Sequence, residues 1–103
     1  MARLPIDDEE APLYSIGQVA QMLGVQQAFL RRLDEQQVVT PARSTGGQRR
    51  YSRREIAQIQ RVLSLVDEGL TLPGIRRVLE LEHRVSELEA ERDAAVAATR
   101  RRR

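Results

Sequence analysis

The segment Thr40–Ser52, TPARSTGGQRRYS, decides the fold. Pro41 ends helical character and Gly46-Gly47 signals a tight turn. The residues on either side read as two short strands, the second ending in Arg49-Arg50-Tyr51, so a basic β-hairpin is expected. Immediately before it, Gln26–Gln36 carries Phe29, Leu30 and Leu33 on one face, as a short helix does. Before that, Ser15–Gly24, SIGQVAQMLG, opens on Ser15 with Gln18 three residues later, a capping box. Ile16, Val19, Ala20 and Leu23 then fall at i, i+3, i+4 and i+7, and Gly24 supplies the stop. Two helices joined by about three residues and followed by an arginine-tipped hairpin outline a winged helix-turn-helix, a form that suits nucleic acid.

Beyond the hairpin, Ser52 and Glu55 form a second capping box. It opens a helix whose apolar face is read as Ile56, Ile59, Leu63 and Val66 and which closes at Gly69. Thr71 caps a last helix, with Pro73 tolerated in its first turn. There the spacing changes. Val78, Leu81, Val85, Leu88, Arg92 and Ala95 recur at alternating intervals of three and four, a heptad seam flanked by acids. On so small a domain that seam has nothing within the chain to bury against, and it asks for a second copy. Val78, Leu81, Val85, Leu88 and Ala95 are the expected dimer contacts. The expected organisation is an acidic, mobile arm over 1–12, a DNA-binding domain over 13–76, a coiled-coil helix over 77–98 and a basic tail over 99–103. The fold class is mainly α with a small β wing.

Composition narrows the function. With 103 residues there is room for one small core, and aromatics make up only 3% of the chain, so Leu, Val, Ile and Ala must build it. There is no cysteine and a single histidine, His83, which leaves neither disulfide nor thiolate chemistry and argues against a metal site. His83 reads as a surface residue of the coiled coil. Nor is there a glycine loop before a lysine, and the acids fall at exposed helical positions without a pocket, so no enzyme and no cofactor are expected. No apolar run approaches the ~20 residues of a membrane span, and the acidic start shows no secretory signal, which implies a cytoplasmic location on the nucleoid. The net charge of +2 conceals a segregation. Residues 31–61 carry eight arginines against Asp34, Glu35 and Glu55, whereas residues 62–93 carry four arginines against eight acids. A positive head beside an acidic helix suits a DNA reader joined to a protein-contacting module.

Ser15–Val25 (SIGQVAQMLGV), Phe29–Ile56 (FLRRLDEQQVVTPARSTGGQRRYSRREI) and Gly69–Glu82 (GLTLPGIRRVLELE) together resemble the MerR family of bacterial transcription regulators, over roughly Leu13 to Ala94. Within that family STGGQRRYS and LPGIRRVLELE look most like the heat-shock repressor (HspR) branch. The resemblance implies a homodimer held by an antiparallel coiled coil, each subunit with its second helix in a major groove and its wing on the flanking backbone. It also implies an Hsp70-class chaperone as co-repressor, with RNA polymerase a further candidate partner. The family commonly has Thr-Leu-Arg-Tyr-Tyr-Glu in the second helix; here the residues are Phe29-Leu30-Arg31-Arg32-Leu33-Asp34, so Arg31 matches and the aromatic pair is replaced. Longer members carry an effector domain after the coiled coil; nothing follows it in these 103 residues, so small-molecule sensing in the usual family manner is not expected.

The candidate DNA contacts are Gln26, Gln27, Arg31, Arg32, Arg43, Arg49, Arg50, Tyr51 and Arg53. Gln pairs with adenine and Arg with guanine in the major groove; the alternative for the helix residues is an ordinary solvated face. Strand alternation sends Arg49 and Arg50 to opposite faces, so one grips phosphate while the other lies along the domain. Arg43, Arg50 and the Tyr51 hydroxyl are expected at the backbone, against the alternative that Tyr51 packs under the wing. Arg53 and Arg54 either meet phosphate at the third helix's start or are simply solvated. The leading reading is a dimeric, sequence-specific regulator, a repressor on an inverted repeat. Two others compete: a protein-interaction adaptor whose hairpin contacts an acidic partner, and an excisionase-like architectural protein, which the intact heptads disfavour.

Overall fold

Ser15 takes an extended backbone and its hydroxyl accepts from the Gln18 amide at 3.1 Å, while the Gln18 side chain accepts from the Ser15 amide at 2.8 Å. These contacts satisfy two amides that a helix start leaves unpaired. In the computed structural model, which describes Leu4 and Asp7–Arg102, this box starts α1 (Ile16–Leu23) directly after a two-residue strand, β1 (Tyr14–Ser15). Gly24 ends α1 at φ 67°, a left-handed conformation that costs a side-chain-bearing residue more than glycine. The chain turns into α2 (Gln27–Glu35) with Gln26 at its N-cap. The wing follows as β2 (Ala42–Arg43) and β3 (Arg49–Tyr51), then α3 (Arg53–Asp67) and α4 (Leu72–Arg101).

The sheet has three antiparallel strands in the order β1-β3-β2, so the wing is joined to the residues that cap α1. Tyr14 faces Tyr51 and Ser15 faces Arg50, and Arg50 also faces Ala42 across the wing. The expected hairpin is thus present, and β1 is an addition that two residues of sequence could not announce. Ser52 and Glu55 form the expected second capping box.

Val19 and Ala20 of α1, Leu30 and Leu33 of α2, Val39, Tyr51 of β3, and Ile75 of α4 enclose the core together with α3. On α3 the buried residues are Ile56, Ile59, Val62 and Leu65. That corrects the expected face: Leu63 is half-buried, and Val66 is 41% exposed. The buried set recurs every three residues where the expected one alternates three and four, and the choice between them follows from how the neighbouring helices pack around α3.

α4 runs unbroken for 30 residues, roughly 45 Å at 1.5 Å per residue. Only Ile75 on it is buried; Val78 and Leu79 are half-buried against the core, and beyond them nearly every residue faces solvent. The division expected between residues 76 and 77 therefore falls inside one helix. Of the expected basic tail, Thr99–Arg101 continue α4, and position 103 lies outside the described residues. Among the described residues no helix is long and apolar enough to cross a membrane.

Residues 1–3, 5 and 6 of the expected mobile arm lie outside the described residues. Glu9 and Glu10 of it touch the domain. The Arg54 amide donates to the Glu9 carbonyl at 3.0 Å, and the Arg54 guanidinium meets Glu10 at 2.8 Å. One orphan amide at the start of α3 is thereby occupied by the chain itself.

Candidate nucleic-acid interface

α2 has two faces because Leu30 and Leu33 are drawn into the core, each 1% exposed. The opposite face carries Gln26, Gln27, Arg31 and Arg32, all exposed. Arg31 Nη2 donates to Gln27 Oε1 at 3.0 Å, one turn back along the helix. This bond aligns an amide and a guanidinium side by side, the two groups that read adenine and guanine edges. Arg32 makes no side-chain hydrogen bond or ion pair among the described residues.

The wing turn is closed by its own backbone. Ser44 N–H donates to the Gln48 carbonyl at 2.8 Å and Gly47 N–H to the Ser44 carbonyl at 2.9 Å. Gly47 sits at φ +80°, a conformation that favours glycine. On the strands, Arg43 and Arg49 stand directly opposite each other and share one face. Both reach Asp34 of α2: Arg43 Nη2 lies 3.0 Å and Arg49 Nε 2.7 Å from the same oxygen, Oδ2. Arg43 also donates to the Gly47 carbonyl at 3.1 Å. Arg49 is therefore the wing arginine that lies along the domain, its side chain only 18% exposed. Arg50 projects from the other face of the sheet, and its side chain makes no hydrogen bond or ion pair among the described residues. Arg53, in the first turn of α3, is exposed and likewise unpaired among them. Ser15, Arg31, Arg43, Gln48 and Arg49 line an open notch between α1, α2 and the wing.

Tyr51 departs from the expected backbone contact. It is 1% exposed, packed in the core beneath the wing, and its hydroxyl has no hydrogen-bond partner among the described residues. The alternation that sends Arg50 outward sends Tyr51 inward. Burial of the hydroxyl away from water raises the tyrosine's pKa above its ordinary 10.0. A buried, unsatisfied hydroxyl costs stability, so Tyr51→Phe is expected to raise it by roughly 1 kcal/mol, about 4–8 °C in melting temperature. The substitution leaves duplex binding as it was. The sign with pH follows from the raised value: the native state resists the phenolate, so this contribution is intact below pH 10 and lost as pH climbs through the folded-state pKa. Melting curves between pH 8 and 11 check both points, because Tyr51→Phe removes this share of the alkaline loss.

The second surface is the exposed flank of α4. Leu81, Val85 and Leu88 are 54%, 52% and 46% exposed, a degree that lone large apolar residues reach but that a regular row at heptad spacing does not need to. Ala95 is exposed on the same row, whereas Val78 at its base packs partly on its own domain. Val96, one residue off the row, is also 43% exposed. The arm is held at its root by Arg61 of α3, whose Nη2 meets Glu82 at 3.0 Å, a contact that raises the guanidinium pKa.

A winged helix-turn-helix with a cationic helix-and-wing face and a projecting helical arm is the form of a DNA-binding regulator. The description "MerR HTH family regulatory protein" matches residues 14–82, and the chain belongs to this family. It is 44% identical over 91 residues to the heat shock protein HspR of Streptomyces coelicolor, covering 87% of this chain and 60% of that one. It is 30% identical over 81 residues to the HTH-type transcriptional regulator GlnR of Bacillus anthracis, covering 79% of this chain and 63% of that one. The chain thus spans under two thirds of the length of each of these curated relatives. Among solved structures, HiNmlR, a MerR-family regulator lacking the sensor domain and bound to promoter DNA, superposes with a TM-score of 0.62 at 22% identity, over 85% of this chain and 79% of that one. That likeness establishes the shared fold.

Proposed function

We propose that this protein is a sequence-specific, DNA-binding transcriptional regulator that acts as a homodimer on an inverted repeat, as a repressor, in the cytoplasm and on the nucleoid. The observation that carries the reading is the combination of two surfaces on one small chain. One is a helix face with paired Gln27 and Arg31 beside an arginine-bearing wing; the other is a row of half-exposed Leu81, Val85 and Leu88 on a helix that leaves the domain. The first suits base edges and phosphates, and the second joins two such heads at a fixed separation, as a two-fold symmetric site requires. The likeness to HspR favours repression, and an Hsp70-class chaperone or RNA polymerase is the co-regulator this reading allows on the acidic flanks of α4.

Selection of bound duplexes from a random pool tests the proposal. A palindromic site with half-sites one or two helical turns apart supports it, and recovery of no enriched sequence overturns it. On the enriched duplex, Arg31→Ala is expected to cost roughly 1–3 kcal/mol per half-site and to relax preference at one base pair. Arg50→Ala is expected to weaken all duplexes alike and to lower the slope of log affinity against log salt by about one per subunit. Titrations over a salt series separate the two effects.

A further inference from the structure

Asp34, inside the cationic head, has a side chain only 15% exposed and two arginine partners on a single oxygen. Nothing in α2 itself explains it. An acid in the last turn of a helix faces the negative end of the helix dipole, a mildly unfavourable place. The wing supplies the reason. Arg43 and Arg49 stand opposite each other on one face of β2 and β3, and two like charges so placed repel. The Asp34 carboxylate sits against both, ties each wing strand to α2, and through Arg43 and the Gly47 carbonyl reaches the wing turn as well.

We propose that Asp34 is a specificity-determining positioning residue, which fixes the wing against the reading helix and withholds Arg43 and Arg49 from indiscriminate capture of phosphate. A wing at a fixed offset from α2 accepts phosphates only at a fixed offset from the bases α2 reads. That offset depends on groove width, which varies with sequence, so the tie turns backbone contact into a reading of duplex shape. A carboxylate that already occupies the two guanidinium groups also sets a threshold: a phosphate entering the notch beside Arg31 must compete with it. The inference rests on the DNA-binding reading above.

The test compares wild type, Asp34→Asn, Asp34→Glu, Arg49→Gln and the Asp34→Asn/Arg49→Gln double variant. Each is titrated against the duplex enriched from the random pool and a scrambled duplex of the same length, over a salt series. Asp34→Asn is expected to bind the scrambled duplex more tightly, with a salt slope steeper by about one for each arginine released. The ratio of the two affinities should fall roughly tenfold, the scale of losing one shape- or base-reading contact. Asp34→Glu, which keeps the charge, should recover most of that ratio. Arg49→Gln should lower the ratio too, and adding Asp34→Asn to it should lower the ratio by less than Asp34→Asn does in wild type, because only the Arg43 tie is left to cut.

Retention of the wild-type ratio and slope by Asp34→Asn overturns the inference, as does an equal loss with and without Arg49. Melting curves accompany the titrations. If Asp34→Asn does not fold, Arg49→Gln and Asp34→Glu decide: an unchanged ratio in the former, or an Asp34→Glu ratio no better than that of Arg49→Gln, overturns it. A wild-type protein that prefers no duplex fails the DNA-binding reading before Asp34 is tested.

Discussion

Replacing Leu81 and Leu88 together with Asp is expected to leave a lone, folded chain at micromolar concentration and to abolish binding to the enriched duplex. Both leucines lie past Leu79, the last apolar residue of α4 that packs on the core, and they are 54% and 46% exposed, so the head loses no core contact. A dimer buries them four times over. At about 1.5 kcal/mol for each buried leucine, the low end of the usual range, their removal costs roughly 6 kcal/mol and some four orders of magnitude in dimer affinity. The new carboxylates, added to a helix that already carries Glu80, Glu82, Glu87, Glu89 and Glu91, push the copies further apart. Loss of the linkage between heads then lowers affinity for a two-half-site duplex by about 10²–10⁴, the usual gain from tethering. Light scattering gives the mass, and circular dichroism shows that the head persists.

Ile75→Ala is expected to have the largest effect on stability. Ile75 is fully buried, and it is the only residue of α4 buried to that degree. Half-buried Val78 and Leu79 back it, and the Arg61–Glu82 pair, whose side chains are 45% and 47% exposed, adds little by itself. Truncating such an isoleucine costs about 2–5 kcal/mol, or roughly 10–25 °C in a domain of this size. Because a dimer's stability depends on concentration, melts of wild type and variant are compared at the same concentration. A fall of under 3 °C shows that α4 is held elsewhere. In the proposed dimer the angle between arm and head sets the distance between the two reading helices. Binding to the enriched duplex should weaken even at temperatures where the variant is folded.

Much of this architecture is written in local signals. Ser15 with Gln18, and Ser52 with Glu55, each specify a helix start within four residues, and the caps form as those residue types dictate. Gly24 and Gly47 work the same way, since few residues tolerate the backbone they adopt. The heptad row is legible for a different reason: it is a repeat, and from Leu81 onward its residues stay exposed on a single chain. Features that depend on distant pairing are not legible. β1 is two residues long, too short for alternation to show, and exists because β3 offers it an edge. The buried face of α3 depends on what α1, α2 and Ile75 bring to it, and periodicity alone left Val62 and Leu65 unread.

The site divides similarly. Exposed Gln26, Gln27, Arg31 and Arg32 follow from the burial of Leu30 and Leu33. Alternation correctly separates Arg49 from Arg50 but cannot say which faces outward. The answer comes from Tyr51, whose ring fills the core and so turns its odd-numbered neighbour Arg49 toward α2. The role of Asp34 is not legible in the sequence because its partners lie 9 and 15 residues further on, a spacing with no periodic signature. Its only sequence signal is an acid at the wrong end of a helix, ahead of a strongly basic hairpin.

The most direct test is sedimentation equilibrium of the protein alone and on the enriched duplex. The account predicts twice the 11.7 kDa of one chain in free solution, and two chains on each duplex. A mass of 11.7 kDa at micromolar concentration, with a single chain on the duplex, contradicts it.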